Sequence, residues 1–256
     1  MNNKNVGSIV WGGYPGQDGG YALIDILVGK QAPAGRLTTT QYPADYINEV
    51  SLFDPYLRPS STNPGRTYKW YTGQAVRPFG FGLHYTTFKP SWGTTPHKNI
   101  AIASLVHGRS PGSYGGGKSS LNDASAWMTV TVNVKNTGKI CSDYVGLLFL
   151  ETKEAGPAPY PNKWLGSYAR LRAVQPGQTQ TVKLNLNLGA LARANEAGDL
   201  VIYPGDYSLL FDYDSSLTFD FKLTGQAVTI DSLPKQQAQY NFTVPVHIQQ
   251  GNGPLH

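Results

Sequence analysis

The sequence predicts an α+β chain: the end of an α/β sandwich domain with a βαβ unit, then a long wrapping linker, then an all-β sandwich. Three observations carry this. The apolar run Ser8-Ile9-Val10-Trp11 enters a glycine-rich turn, Gly12 to Gly20, then a helical pattern from Tyr21 to Val28, and then the β-prone run Arg36-Leu37-Thr38-Thr39-Thr40. Between Gln41 and Pro78 periodicity disappears while aromatic residues stay frequent. From about Lys89 the chain becomes a series of short segments of alternating polarity separated by turn residues.

Ser8 to Trp11 reads as a buried strand, Gly29 stands where a helix C-terminal cap belongs, and Pro33 and Gly35 lead out of the helix. A βαβ unit with a continuously apolar first strand normally sits in a parallel sheet covered on both faces. Helix-forming segments elsewhere are too few to cover such a sheet, so the expectation is a C-terminal piece of a larger protein. Loops at the C-terminal ends of parallel strands bind ligands, which makes Tyr14, Gln17 and Asp18 candidates for a pocket rim. The competing reading is that Asp18 only caps the helix, while Gly12, Gly13 and Gly16 only make the turn.

The stretch from Gln41 to Pro78 holds Tyr42-Pro43, Phe53-Asp54-Pro55-Tyr56, Pro64-Gly65-Arg66 and Tyr68-Lys69-Trp70-Tyr71. Flexible linkers are rich in Gly and Ser, so a connection this aromatic is expected to wrap a neighbour. Pro78 to Phe88 alternates small and aromatic residues, as where a backbone passes close under packed rings. Strands are then expected at Ile100–Val106, Trp127–Val134, Tyr144–Leu150, Ala169–Val174, Thr181–Leu186, Leu200–Tyr203, Tyr207–Tyr213 and Leu217–Leu223. Turns such as Lys135-Asn136-Thr137-Gly138 and Pro204-Gly205-Asp206 separate them, and the set suits a sandwich of immunoglobulin or fibronectin type III kind. The expected divisions are residues 1–40, 41–89, 90–234 and a surface tail, 235–256.

The 256 residues carry a net charge of +5, but the basic residues are dispersed and the longest cluster is Arg170-Leu171-Arg172. That is a solvated surface with a mild positive bias, and no nucleic-acid partner is expected. No apolar stretch approaches the ~18 residues needed to span a bilayer, so no membrane anchor is expected. Met1-Asn2-Asn3-Lys4-Asn5 carries no apolar core of a secretory signal. Asn241-Phe242-Thr243 is a glycosylation sequon, with Asn241 the acceptor if the parent protein is secreted.

Gly112 to Ser119 formally fits the phosphate-loop pattern G-x-x-x-x-G-K-[ST]. That chemistry needs a strand running straight in and a helix starting at Lys118-Ser119; His107 to Pro111 intervenes before it and no helical repeat follows, so a flexible inter-strand loop is expected. His84, His97, His107, His247 and His256 show no i, i+4 pair, so neither a metal site nor a Ser-His-Asp triad is expected, and no cofactor. Cys141, the single cysteine, reads as a small buried hydrophobe. Glu151 with Glu154, and Asp212 with Asp214, are neighbouring acids read as solvated surface rather than a catalytic pair.

Trp11 to Gly20, the following Ala-Leu-Ile-Asp-Ile-Leu helix, and Pro33-Ala34-Gly35-Arg36-Leu37 together resemble the end of the second, α/β-sandwich domain of glycoside hydrolase family 3. Pro64-Gly65-Arg66-Thr67-Tyr68-Lys69-Trp70-Tyr71 and Phe79 to Phe88 resemble that family's passage into a fibronectin type III-like domain, in wording similar to its fungal exo-β-xylosidases. Val134-Lys135-Asn136-Thr137-Gly138 and Tyr203 to Tyr207 are weaker echoes in the sandwich.

The resemblance implies an extracellular, retaining exo-hydrolase that releases xylose from the non-reducing ends of xylo-oligosaccharides. In that family the nucleophile is an Asp in an N-terminal barrel, and the acid/base is a Glu upstream of the motif found here. Neither position exists in this chain, so it is expected to be inactive alone and to partner the missing barrel and sandwich domains. The residues themselves leave xylose, arabinose and glucose specificity open. They also leave open an autonomous, non-catalytic module that binds polysaccharide or protein, with Trp92, Trp164 or Tyr160 as a sugar-stacking platform.

Overall fold

The computed structural model describes residues 12–107, 110–113, 120–121 and 123–232, together with Asn5, Gly7 and Val10. Helices are short: α1 (Gly19–Leu27), α2 (Tyr46–Glu49), α3 (Thr67–Trp70) and α4 (Ile102–Val106). The strands begin with β1 (Phe88–Trp92), β2 (Asn99–Ala101), β3 (Ser110–Ser113), β4 (Ser120–Leu121) and β5 (Ala126–Asn136). They continue with β6 (Ser142–Glu151), β7 (Trp164–Val174), β8 (Thr179–Asn187) and β9 (Ala192–Ala194). The last are β10 (Leu200–Ile202), β11 (Gly205–Phe211), β12 (Leu217–Thr224) and β13 (Val228–Ser232). The expected α+β architecture is present, with few helices and a β-sandwich holding the core.

One sheet runs β1-β5-β8 and another β2-β12-β11-β6-β7, while β4-β3-β13-β10-β9 forms a third. Alternation places Val130, Val132 and Val134 of β5, with Val182, Leu184 and Leu186 of β8, on one inner face. Opposite them Tyr144, Leu148 and Leu150 of β6 join Tyr207, Leu209 and Phe211 of β11 and Phe221 of β12 in one core. Pro90 is tolerated in β1 because that strand lies at a sheet edge, paired only with β5.

The interior strand β6, between β11 and β7, is apolar on both faces. Leu147 and Phe149 point away from the main core and form a second cluster with Leu210, onto which Tyr68 and Phe79 pack. The rings of Tyr68 and Phe79 stack at 4.3 Å and meet Phe149 edge-on. Backbone bonds fasten the same overlay: Leu165 N–H donates to the Tyr68 hydroxyl (3.0 Å), and Asn162 N–H to the Lys69 carbonyl (2.7 Å). The stretch from Gln41 to Pro78 thus lies on the sandwich, braced internally by the Tyr42, Tyr46 and Tyr71 rings and by the buried Asn63 side chain, which bonds Asp54, Tyr56 and Gly65. Gly65 cannot be replaced cheaply: φ is +91°, and a Cβ there would meet the Trp70 carbonyl oxygen at 2.1 Å.

Several local expectations are corrected. Ile100–Val106 is strand only at its start; from Ile102 it coils into α4, which drives Ile102 fully into the core, since short apolar runs suit either geometry. Arg36–Thr40 forms no strand; Leu37 exchanges backbone bonds with Gly80 and Phe81 instead of a parallel neighbour. Cys141 is exposed, its Sγ accepting from the Gln175 amide at 3.2 Å, because it sits in the β5–β6 turn rather than on a strand. Ser8, Ile9, Trp11, Tyr114 to Ser119 of the phosphate-loop match, the tail and Asn241 lie outside the described residues.

Phe149 is expected to hold the linker and sandwich together. Phe149→Ala should cost about 3–5 kcal/mol, the range for a large ring lost from a packed core. In urea, fluorescence from Trp70 and Trp164 should report one shared transition moved to lower denaturant.

Candidate functional site

Tyr14, Gln17 and Asp18 fall together in the turn that enters α1. Pro15 packs on Gly19 so closely that a Cβ there would lie 2.0 Å from the ring, and Gly19 N–H closes the turn on the Gly16 carbonyl at 3.0 Å. All three candidates are exposed, Tyr14 completely. Asp18 occupies the N-cap position, yet its carboxylate makes no cap bond, so helix capping does not explain it. Beyond the turn, Tyr21, Ile24 and Leu27 stand exposed on α1, with Val28 just after it, and the helix buries no residue at all. The helix is moored by Tyr85, whose hydroxyl donates to the Ile26 carbonyl at 2.7 Å.

The charged groups that do converge lie elsewhere. Arg36 reaches across from the N-terminal segment to β6 and the end of β11, giving two bonds to the Val145 carbonyl (3.1 and 2.9 Å) and one to Asp212 Oδ2 (2.7 Å). The Tyr144 hydroxyl donates to the same carboxylate oxygen. Both ion-pair side chains are more than nine-tenths buried. Asp212, read from the sequence as solvated surface, is therefore an internal anion; it adopts φ +66°, a left-handed conformation that Asp tolerates. Burial pushes its carboxyl up, opposed by the Arg36 charge and the Tyr144 hydroxyl, and burial likewise raises Tyr144.

His84 stacks on the Tyr144 ring at 5.7 Å and meets Phe88 edge-on, with both ring nitrogens buried. Burial, then the Arg36 charge, pull its imidazole down to about 4. The signal for this cluster in the sequence is Arg36 within Ala34-Gly35-Arg36-Leu37, a cation in an otherwise apolar run, but its partner 176 residues away carries no such mark.

The chemical capacity of these groups is limited. Asp212 is occupied by Arg36 and Tyr144, Glu151 pairs with Lys153 at 3.1 Å, and Glu154 accepts from the Asp206 N–H at 3.2 Å. None of these acids sits in the turn of Tyr14 to Asp18. Among the described residues no group of three or more His, Cys, Asp or Glu side chains could hold a metal ion. The three aromatic residues considered as a sugar platform are engaged by the protein itself: Trp164 is buried and donates to the Ala190 carbonyl, Trp92 packs on Phe211 and Phe219, and Tyr160 carries the Arg193 guanidinium on its ring.

Residues 1–85 match the glycosyl hydrolase family 3 C-terminal domain, and residues 145–215 the fibronectin type III-like domain. Over 237 residues the chain is 50% identical to a probable exo-1,4-beta-xylosidase (bxlB) of Aspergillus fumigatus, aligning 92% of this chain with 30% of that protein. A probable exo-1,4-beta-xylosidase (xlnD) of Neosartorya fischeri matches to the same extent. The chain thus spans about 30% of the length of the curated relatives it matches. Among solved structures, a GH3 exo-beta-xylosidase (XlnD) in complex with a xylobiose aziridine probe superposes with TM-score 0.80 at 43% identity, covering 90% of this chain and 29% of that one. A beta-D-glucoside glucohydrolase from Trichoderma reesei, 22% identical with TM-score 0.60 over 84% of this chain and 30% of its own, shares the fold.

Two stability measurements check the buried cluster. Arg36→Met strands the Asp212 carboxylate and should cost about 3–5 kcal/mol, with part of the loss recovered when Asp212→Asn is added. His84 is neutral in the fold, whereas an unfolded imidazole near its ordinary 6.5 takes up a proton first as the pH falls. Its contribution is therefore full above pH 6.5 and is lost as the pH drops from 6.5 towards about 4. His84→Phe should show a shallower fall of the urea midpoint across that window than the parent chain.

Proposed function

Because this chain belongs to glycosyl hydrolase family 3, whose C-terminal region it carries, we propose that it is the C-terminal portion of a secreted, retaining exo-β-xylosidase acting on the non-reducing ends of xylo-oligosaccharides. The observation that carries this reading is the high identity to named exo-xylosidases along nearly the whole chain, sandwich included, against 22% for the glucoside-acting Trichoderma enzyme. Identity that extends beyond the turn to the linker and sandwich ties the chain to the xylosidases as a whole.

The chain's own contribution is structural and positional. Retaining hydrolysis needs two carboxylates about 5–5.5 Å apart across the sugar. Asp212, Glu151 and Glu154 are committed elsewhere, and in this reading both catalytic groups come from preceding domains of the parent. Residues 1–40 complete the α/β domain, residues 41–89 serve as the linker, and residues 90–234 form the fibronectin-like domain. The exposed apolar residues of α1 and of the loops beyond it, Phe53 at 95% exposure among them, are the surface those domains cover. Tyr14, Gln17 and Asp18 then border the sugar pocket, with Asp18 offering an uncommitted carboxylate to sugar hydroxyls.

The 256-residue chain alone should not turn over nitrophenyl β-xyloside, and a protein joining it to the preceding domains should. Hydrolysis by the isolated chain would refute the assignment of both catalytic groups upstream. In the joined protein Asp18→Ala should raise KM about tenfold, the loss expected for one charged hydrogen bond, with kcat less affected; an unchanged KM removes Asp18 from the pocket.

A further inference from the structure

A recess lies where the linker crosses the sandwich, and none of Tyr14 to Asp18 lines it. It is a cleft of about 570 Å³ between Arg58, Lys69 and Trp70 on the linker side and Asp123, Pro159 and Arg193 on the sandwich side. Its volume falls in the range of ligand pockets. Its walls are fixed before any ligand arrives. Arg193 donates to the carbonyls of Ala155, Pro157 and Pro159, which holds the loop of Pro159 in place, and the Asn162 amide donates to the Tyr71 carbonyl at 2.9 Å.

The polar groups facing this space are unevenly matched. Arg58 lies over the Trp70 indole at 5.3 Å from the ring centroid, and among the described residues neither it nor Lys69 has a carboxylate within 4.0 Å. Arg193 meets only carbonyl oxygens and the Tyr160 ring. Among the described residues of the cleft, three cations thus stand against the acid Asp123. Stacking uses the π face of a guanidinium and leaves its in-plane N–H donors available for a planar oxyanion. Half-buried Trp70, with Pro159, supplies flat apolar surface suited to the C–H face of a sugar ring.

We propose that this cleft binds an acidic oligosaccharide, a uronic-acid carboxylate resting on Arg58 and Lys69 and a pyranose ring against Trp70 and Pro159. The site is separate from the turn of Tyr14 to Asp18, and it does not depend on whether the parent protein hydrolyses xylosides. A charged wall combined with an indole face favours a sugar acid over a protein surface, whose apolar docking residues cluster on α1 and the exposed loops instead.

Calorimetric titration of the 256-residue chain with a xylo-oligosaccharide bearing a glucuronic acid branch, and with the unbranched oligosaccharide, tests this directly. The branched sugar should bind about tenfold more tightly, as expected for a charge-assisted pair. That advantage should disappear in the doubly substituted Arg58→Gln, Lys69→Gln chain and weaken with added salt, while the thermal midpoint stays put. Equal binding of both sugars, no binding of either, or an unaffected double variant would overturn the proposal. So would inorganic phosphate competing at the same concentration, or loss of binding once the preceding domains are attached.

Discussion

Two nitrogens of the Arg36 guanidinium on one backbone carbonyl, and one of them also on a carboxylate, form the joint on which the rest of the molecule depends. The N-terminal segment has little core of its own; α1 buries nothing. What fixes its direction relative to the sandwich is a buried cation that must find an anion, because an unpaired charge in that position would be far costlier than a paired one. Asp212 supplies the anion from the end of β11, and the Tyr144 hydroxyl and the Val145 carbonyl take up remaining hydrogen-bonding capacity. The pair contributes orientation rather than large net stability, since two well-packed apolar side chains could fill the same space.

The sandwich was legible because its pattern is redundant. Val130, Val132 and Val134 alternate with polar residues, and so do Val182, Leu184 and Leu186, so each strand announces which face is buried. The aromatic content of the linker marked it as a wrapping segment, and what it wraps is the outer face of β6, where Tyr68 and Phe79 cover Leu147 and Phe149. Ile100–Val106 was harder, since a short apolar run has no period long enough to separate strand from helix, and the core needed Ile102 at a place only a turn of helix reaches.

The candidate site was legible in one respect and opaque in another. Local chemistry in the glycine-rich turn marked Tyr14, Gln17 and Asp18 as candidates for a pocket rim, and the structure leaves all three exposed in the turn that enters α1. The Arg36–Asp212 pair could not be read the same way, because its partners are brought together only by tertiary structure; nothing near Asp212 distinguishes it from the exposed Asp214 two residues on. Cys141 failed for a related reason: residue type favours burial, but its position in a turn decides exposure.

The double-sided burial of β6 bears on how such a sandwich can be inherited. A β-sandwich whose strands are polar on their outer faces can be moved between proteins as a cassette, since cutting it out exposes nothing new. Here excision at the start of β1 would uncover Leu147, Phe149 and Leu210 and leave Asp212 without its cation. Recombination that carried off the sandwich would have to take the segment from Arg36 to Phe81 with it, and that segment lies within residues 1–85, the match to the glycosyl hydrolase family 3 C-terminal domain. The sandwich is thereby tied to the segment before it, because the face of β6 that carries Leu147 and Phe149 stays dry only while Tyr68 and Phe79 lie on it.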